Sequence, residues 1–166
     1  MDKHGRGAVT EWLAPFLKVK KLHEDSIVPT RNNATDAGLD LYAYETITLA
    51  PRGFTGNYLN DPDIARAIIP TGIAIEFPPG YAFFIHDRSG LSAKYGIHRV
   101  AGVADESYRG EIKVALVNLS HKEYTINKGD RIAQGILMPI ALPEVIVVEE
   151  LSDTVRGVQG FGSSGK

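Results

Sequence analysis

The chain has 166 residues, 43% of them hydrophobic and 23% charged, with a formal net charge of −2; this is the size and balance of a single soluble domain with its own core. The slightly acidic balance argues against general coating of nucleic acid, and the lack of cysteine excludes disulfides, thiolate nucleophiles and thiolate metal sites. No apolar run approaches the ~20 residues that span a bilayer, and Met1 to Gly7 lack the apolar stretch of a secretory signal.

Residues 1–14 read as a loose leader, 15–151 as a β domain and 152–166 as a glycine-rich arm. Leu17 and Val19 alternate with Lys18 and Lys20, the period of a strand with one wet face. Leu39, Leu41 and Ala43 alternate with Asp40, Tyr42 and Tyr44, Ile47 and Leu49 with Thr46 and Thr48, and Ile73, Ile75 and Phe77 with Ala74 and Glu76. Pro78-Pro79-Gly80 makes a turn, and Tyr81 to Ile85 is apolar enough for another strand. Ile112 to Leu119 and Ile136 to Ile140 are runs of strand length, and the β-branched Val145, Ile146, Val147 and Val148 predict a last strand from Glu144 to Leu151. Two short helices are expected. One covers Asp61 to Arg66, with Asp61 as N-cap and Pro62 in the first helical position; the other starts near Ser89. Phe54 and Tyr58 mark the connection from Arg52 to Ile68 as an ordered surface excursion. Many short strands punctuated by Gly and Pro, with no long helical stripe, predict an all-β sandwich or barrel.

Four places carry candidate chemistry. Gly160 to Lys166 has the glycine and lysine spacing of a phosphate loop, but no Ser or Thr and no helix follow the lysine. What remains is a flexible polar arm, whose glycines let N–H groups converge on an anion. Arg88-Ser89-Gly90 offers a bidentate phosphate ligand at the start of a helix. The 102–110 stretch lies between strand-like runs and reads as a hairpin tip. Asp105 there either orients a water or is a solvated turn acid. Asp40 stands on the polar side of its strand, usually just a wet position. A magnesium ion, however, keeps most of its waters and needs only an acid that holds them. His4, His23, His86, His98 and His121 show no metal-ligand spacing, and no Gly-x-Ser-x-Gly turn is present.

In their order along the chain, five stretches resemble the motifs of the trimeric dUTPase family. They are Asp36-Ala37-Gly38-Leu39-Asp40-Leu41-Tyr42-Ala43, Arg88-Ser89-Gly90-Leu91-Ser92-Ala93-Lys94-Tyr95-Gly96-Ile97, the run from Gly102 to Glu111, Gly129-Asp130-Arg131-Ile132-Ala133-Gln134, and Arg156 to Gly165. The resemblance implies a jelly-roll-like β fold with one or two short helices and a flexible C-terminal arm. It implies a homotrimer whose sites are shared between subunits. The implied reaction is hydrolysis of dUTP to dUMP and pyrophosphate with Mg2+, which limits uracil in DNA and supplies dUMP for thymidylate synthesis. Asp105 is then the general base for the water that attacks the α-phosphorus. Tyr108 packs on the sugar and excludes a 2′-hydroxyl. Main-chain groups of Gly102, Val103 and Ala104, with Lys113 across from them, read uracil. Arg88, Ser89, Gly90 and Gln134 bind the phosphates, and Asp40 holds metal-bound water. Arg156 grips the γ-phosphate, Phe161 stacks on uracil, and Gly162, Ser163 and Ser164 wrap the terminal phosphates as the arm closes. Nucleic acid and membrane are not expected partners, and an intracellular, soluble protein is expected, of unresolved compartment.

Some positions depart from the family pattern. Asp87 stands where Pro is usual, Ala104 where a larger aliphatic is usual, Gln159 for Gly and Ser164 for Thr, and the Arg52 to Ile68 loop is longer than usual. Two other readings fit part of the pattern: a dCTP deaminase of the same fold, which lacks the fifth motif, and a nucleotide-gated regulatory binder with little turnover.

Overall fold

A computed structural model describes residues 15–52, 66–158 and 160. Along these residues run β1 (Lys18–Lys21), β2 (Leu39–Tyr42), β3 (Ile47–Leu49), β4 (Arg66–Glu76) and β5 (Tyr81–His86). They are followed by α1 (Ser89–Tyr95), β6 (Ile97–Arg99), β7 (Val103–Ala104), β8 (Glu111–Asn118), β9 (Tyr124–Ile126) and β10 (Arg131–Pro139). One four-stranded sheet has the order β1-β4-β8-β6, a second has β2-β10-β5-β7, and β3 with β9 forms a two-stranded sheet. All the pairings are antiparallel. The fold is all-β, as the alternating sequence predicts.

The alternating apolar positions meet between the sheets. Ile69, Ile73, Ile75, Val114 and Leu116 of the first sheet pack with Leu41, Phe83, Ile85 and Ala133 of the second, and Leu49 and Ile126 close one end. Phe77 and Phe83 stack with ring centroids 6.5 Å apart. One buried polar side chain ties the small sheet to the first. Asn118 Nδ2 donates to the carbonyls of Ala50 at 3.0 Å and Lys122 at 2.8 Å, while its Oδ1 accepts from Ser120 N–H at 2.9 Å. Burying an amide this deeply is tolerated because its donors and acceptor are satisfied.

The structure differs from the sequence expectations at three points. First, residues 144–151 form no strand, and Val145, Ile146 and Val147 are 88%, 73% and 93% exposed. Their β-branching favours an extended chain, but a strand also needs a ladder partner, and the described residues supply none. Second, the 102–110 stretch is not a two-strand hairpin. β7 pairs with β5, whereas β8 pairs with β4 and β6, so the stretch crosses from one sheet to the other. Third, β4 and β10 begin several residues before the apolar runs that marked them, and Arg66 opens β4 instead of closing a helix. The rest of that expected helix, the 53–65 part of the long loop, the 1–14 leader, Gln159 and the arm residues Phe161, Gly162, Ser163 and Ser164 lie outside the described residues. The helix at Ser89 forms and ends at Gly96, whose φ of 70° supplies the left-handed cap.

Candidate active site

A cavity of about 580 Å³ lies on the outward face of the second sheet, lined by Asp36, Gly38, Asp40, Arg88, Ser89, Gly90, Arg131 and Gln134 among others. Strand register explains why these side chains meet. Asp40 of β2, Gln134 of β10 and His86 of β5 stand side by side across the sheet. Their neighbours Leu41, Ala133 and Ile85 point inward to the core. The chain then turns into α1, placing Arg88 at the N-cap and Ser89 and Gly90 in the first turn. Gln134 Nε2 donates to the Asp87 carbonyl at 2.9 Å, which holds that turn against β10. Gly38 is needed here for space, because a Cβ on it would lie 2.3 Å from Gln134 Oε1.

The electrostatic centre of this cavity is Asp40. Its side chain is 14% exposed and is held by two guanidinium groups, Arg88 Nε at 3.1 Å and Arg131 Nη1 at 3.1 Å. Arg88 Nη1 also donates to the Arg131 carbonyl at 3.1 Å. Two guanidinium groups and the Ser89 hydroxyl are donors that suit a polyphosphate, with Asp40 between the arginines and Asp36 also on the lining. Reasoning from sequence missed Arg131 as a site residue. Strict alternation puts positions 131 and 134 on opposite faces, but a register shift between Arg131 and Ala133 reverses the parity. Ile132 and Ala133 are consequently both buried, and Arg131 joins Gln134 at the cavity. The only signal in the sequence was that Arg131 lies within the same short motif as Gln134.

A second cavity, of about 240 Å³, is lined by Ile85, Val103, Ala104, Asp105, Tyr108, Glu111, Ile112 and Lys113. It opens beside β7 and β8, where the crossover leaves strand edges unpaired. The crossover tip is folded back on itself. Tyr108 N–H donates to the Asp105 carbonyl at 3.1 Å, and Tyr108 O–H donates to the Glu111 carbonyl at 3.0 Å. A Cβ on Gly110 would lie 2.4 Å from that phenol oxygen, so glycine there lets the ring lie flat against the chain. The Glu111 carboxylate accepts from Gly72 N–H at 2.8 Å and faces Lys113 Nζ at 3.5 Å. Asp105 is exposed at the tip, so water reaches it freely.

The two cavities lie on opposite faces of the second sheet. Ile85 lines the smaller one, and its neighbour His86 stands in the row with Gln134 and Asp40 that lines the larger. The structure thus brings Asp40, Arg88, Ser89, Gly90 and Gln134 together, and separately Val103, Ala104, Asp105, Tyr108 and Lys113. Gly102 enters through its backbone, its carbonyl accepting from Ile85 N–H at 2.8 Å. Arg156 lies in the exposed 151–158 stretch and lines neither cavity. No group of three or more His, Cys, Asp or Glu side chains among the described residues is placed to hold a metal ion.

The dUTPase family profile matches residues 24–165, which covers both cavities and the arm. The chain belongs to the dUTPase family. It is 42% identical over 152 residues to the deoxyuridine 5′-triphosphate nucleotidohydrolase of Nautilia profundicola, covering 90% of this chain and 99% of that one. With the Paramecium bursaria Chlorella virus 1 enzyme of the same name it is 45% identical over 149 residues, covering 90% and 97%. Among solved structures it resembles the Staphylococcus bacteriophage 80alpha dUTPase with dUPNHPP, at a TM-score of 0.78 and 32% identity over 91% of this chain and 99% of that one. It also resembles a variant of the phage phi11 dUTPase in which coordination of a structural Mg(II) ion was described. There the TM-score is 0.70 and the identity 29%, over 83% and 99% of the two chains. Within the dUTPase pattern, the larger cavity holds the first, second and fourth motifs and the smaller one the third.

Proposed function

We propose that this dUTPase-family chain hydrolyses dUTP to dUMP and pyrophosphate, removing dUTP from the pool that supplies DNA synthesis and providing dUMP for thymidylate. The observation that carries the reading is the partition of the motif residues. Phosphate-binding groups line one cavity, while an acid, a tyrosine ring and main-chain edges line the other. Uracil is read in the smaller cavity by main-chain groups around Gly102, Val103 and Ala104 with Lys113, and Tyr108 covers the sugar. Asp105 takes the proton of the attacking water as its oxygen bonds to the α-phosphorus. The bond from that phosphorus to the bridging oxygen breaks, and pyrophosphate leaves. Arg88, Ser89, Gly90 and Gln134 hold the phosphates, with Arg131 beside them. Arg156, Phe161, Gly162, Ser163 and Ser164 close over the nucleotide and exclude water.

Magnesium fits this site as an ion carried by the substrate. Asp40 borders the phosphate cavity, but both its oxygens are engaged by arginines, so it suits an outer role through water. When bound, the ion neutralises charge on the triphosphate.

We infer further that the working form is a homotrimer with shared sites. A base in one cavity and its phosphates in the other cannot belong to one nucleotide on one chain if the cavities lie on opposite sheet faces. Two copies remove the conflict. The exposed apolar run at 145–148 is a surface that copies of the chain would cover.

The test is pyrophosphate release from dUTP with magnesium, against dTTP, dCTP and UTP in parallel. Turnover of dUTP alone is expected. Tight dUTP binding without pyrophosphate would overturn the reading in favour of a regulatory binder. Light scattering on the purified chain should give three times its 18.1 kDa mass; a monomer active at high dilution would overturn the shared sites.

A further inference from the structure

Asp87 lies between β5 and α1, next to Arg88 of the phosphate cavity, yet it lines neither cavity. A free carboxylate there would repel a polyphosphate. Instead, both of its oxygens are turned to β6. Asp87 Oδ2 is 2.5 Å from His98 Nδ1, and Asp87 Oδ1 accepts from Arg99 N–H at 2.8 Å. An ionised carboxylate only accepts, so His98 Nδ1 carries the proton and donates it. The main-chain carbonyl of the same residue accepts from Gln134 Nε2 at 2.9 Å. The side chain of Asp87 is 24% exposed, so these bonds are partly shielded from water.

These three bonds tie the end of β5 to two other elements, β6 through His98 and Arg99 and β10 through Gln134. β5 and β10 belong to the second sheet, while β6 is an edge strand of the first. Asp87 therefore bridges the two sheets at the corner from which Arg88, Ser89 and Gly90 project. α1 has seven residues, and its N-cap makes no side-chain capping bond. On the cavity side, Arg88 is held through Asp40 and the Arg131 carbonyl, two residues that line the larger cavity. The Asp87 bonds come from behind and do not have to be given up when phosphate binds.

We propose that Asp87 is a positioning residue for phosphate binding. Through His98 and the Arg99 N–H it anchors the corner to β6, and through its carbonyl it aims the Gln134 amide. Arg88, Ser89, Gly90 and Gln134 are thereby arranged before the triphosphate arrives, which lowers the ordering cost of binding. This role rests on the assignment of the larger cavity to phosphate.

The test uses the full chain and inorganic tripolyphosphate as a probe that needs no turnover. In Asp87→Ala, the dissociation constant for tripolyphosphate and the KM for dUTP should each rise about 10- to 100-fold, the scale of one lost charge-assisted hydrogen bond. The value of kcat should fall much less, and inhibition by deoxyuridine, which carries no phosphate, should stay within about twofold. Asp87→Asn should restore most of the affinity, because its amide oxygen still accepts from Arg99 N–H. Unchanged tripolyphosphate affinity in Asp87→Ala would overturn the proposal, as would an equal loss for deoxyuridine. Should Asp87→Ala fail to fold, His98→Phe carries the test. It removes only the Oδ2 partner and should weaken tripolyphosphate several-fold, and no change would overturn the proposal. A wild type that binds tripolyphosphate but does not hydrolyse dUTP would overturn the functional reading and leave the Asp87 comparison intact.

Discussion

At the scale of single residues, the motif side chains fall into two cavities. The proposed base, Asp105, stands at the crossover tip, open to water and lining the smaller cavity with Tyr108 and Lys113. Asp105→Asn keeps the shape and removes the base. It should preserve binding of a non-hydrolysable dUTP analogue and lower kcat by ~10²–10⁴-fold or more; near-normal single-turnover rates would remove Asp105 from the mechanism. The positions of Asp105, Arg88 and Gln134 at cavities are legible because each lies in a short motif with a recognisable order. That of Arg131 is not, since only the β-bulge carries it to the cavity face. Nor are the partners of Asp87, which come from a strand whose sheet assignment no local pattern reveals.

At the scale of elements, the strands follow from alternation, but their joints depend on particular side chains. Asn118 joins the small sheet to the first. Asn118→Ala would leave buried carbonyls without donors and should cost about 2–3 kcal/mol in denaturant unfolding; a loss below a few tenths would show that water replaces the amide. The loop after β1 is tied down by charge. Lys128 Nζ is 2.7 Å from Asp25 Oδ2 and lies over the Tyr44 ring, whose O–H donates to Asp25 Oδ1 at 3.1 Å. The Lys128 hydrogen bond, opposed by some desolvation, holds the Asp25 carboxyl below its ordinary pKa. A depressed carboxyl supports the fold above its unfolded-state pKa and stops doing so as pH falls through the folded value. Thermal stability should therefore lose this contribution on the acid side, below the ordinary carboxyl range. Because the group is exposed, the loss should be small and weaker at high salt. Melting curves of Asp25→Asn and wild type should converge in acid; an unchanged gap between them would mean the pair does not contribute. The missed elements have one cause in common. The 144–151 run and the 102–110 crossover have the local pattern of paired strands, and pairing is a relation to another segment that local pattern does not contain.

At the scale of the whole molecule, the exposed 142–151 segment and the separation of the two cavities belong to one problem. Among the described residues Leu142, Val145, Ile146, Val147 and Leu151 are exposed, and the segment leads toward the arm. Removing residues 156–166 should leave the melting temperature nearly unchanged, because the described part of that stretch is exposed, while most dUTP hydrolysis is lost. A large drop in melting temperature would mean that the arm braces the body. By itself the sequence determined the all-β class, the faces of most strands, the family and which motifs carry candidate chemistry. Those depend on residue type and spacing, which are local properties. Tertiary structure alone decided that Arg131 faces the larger cavity, that Asp87 turns away from it, and that the two cavities lie on opposite faces of one sheet. Those depend on a bulge, on register and on which strand lies beside which, and each is set by pairing between segments far apart in the chain.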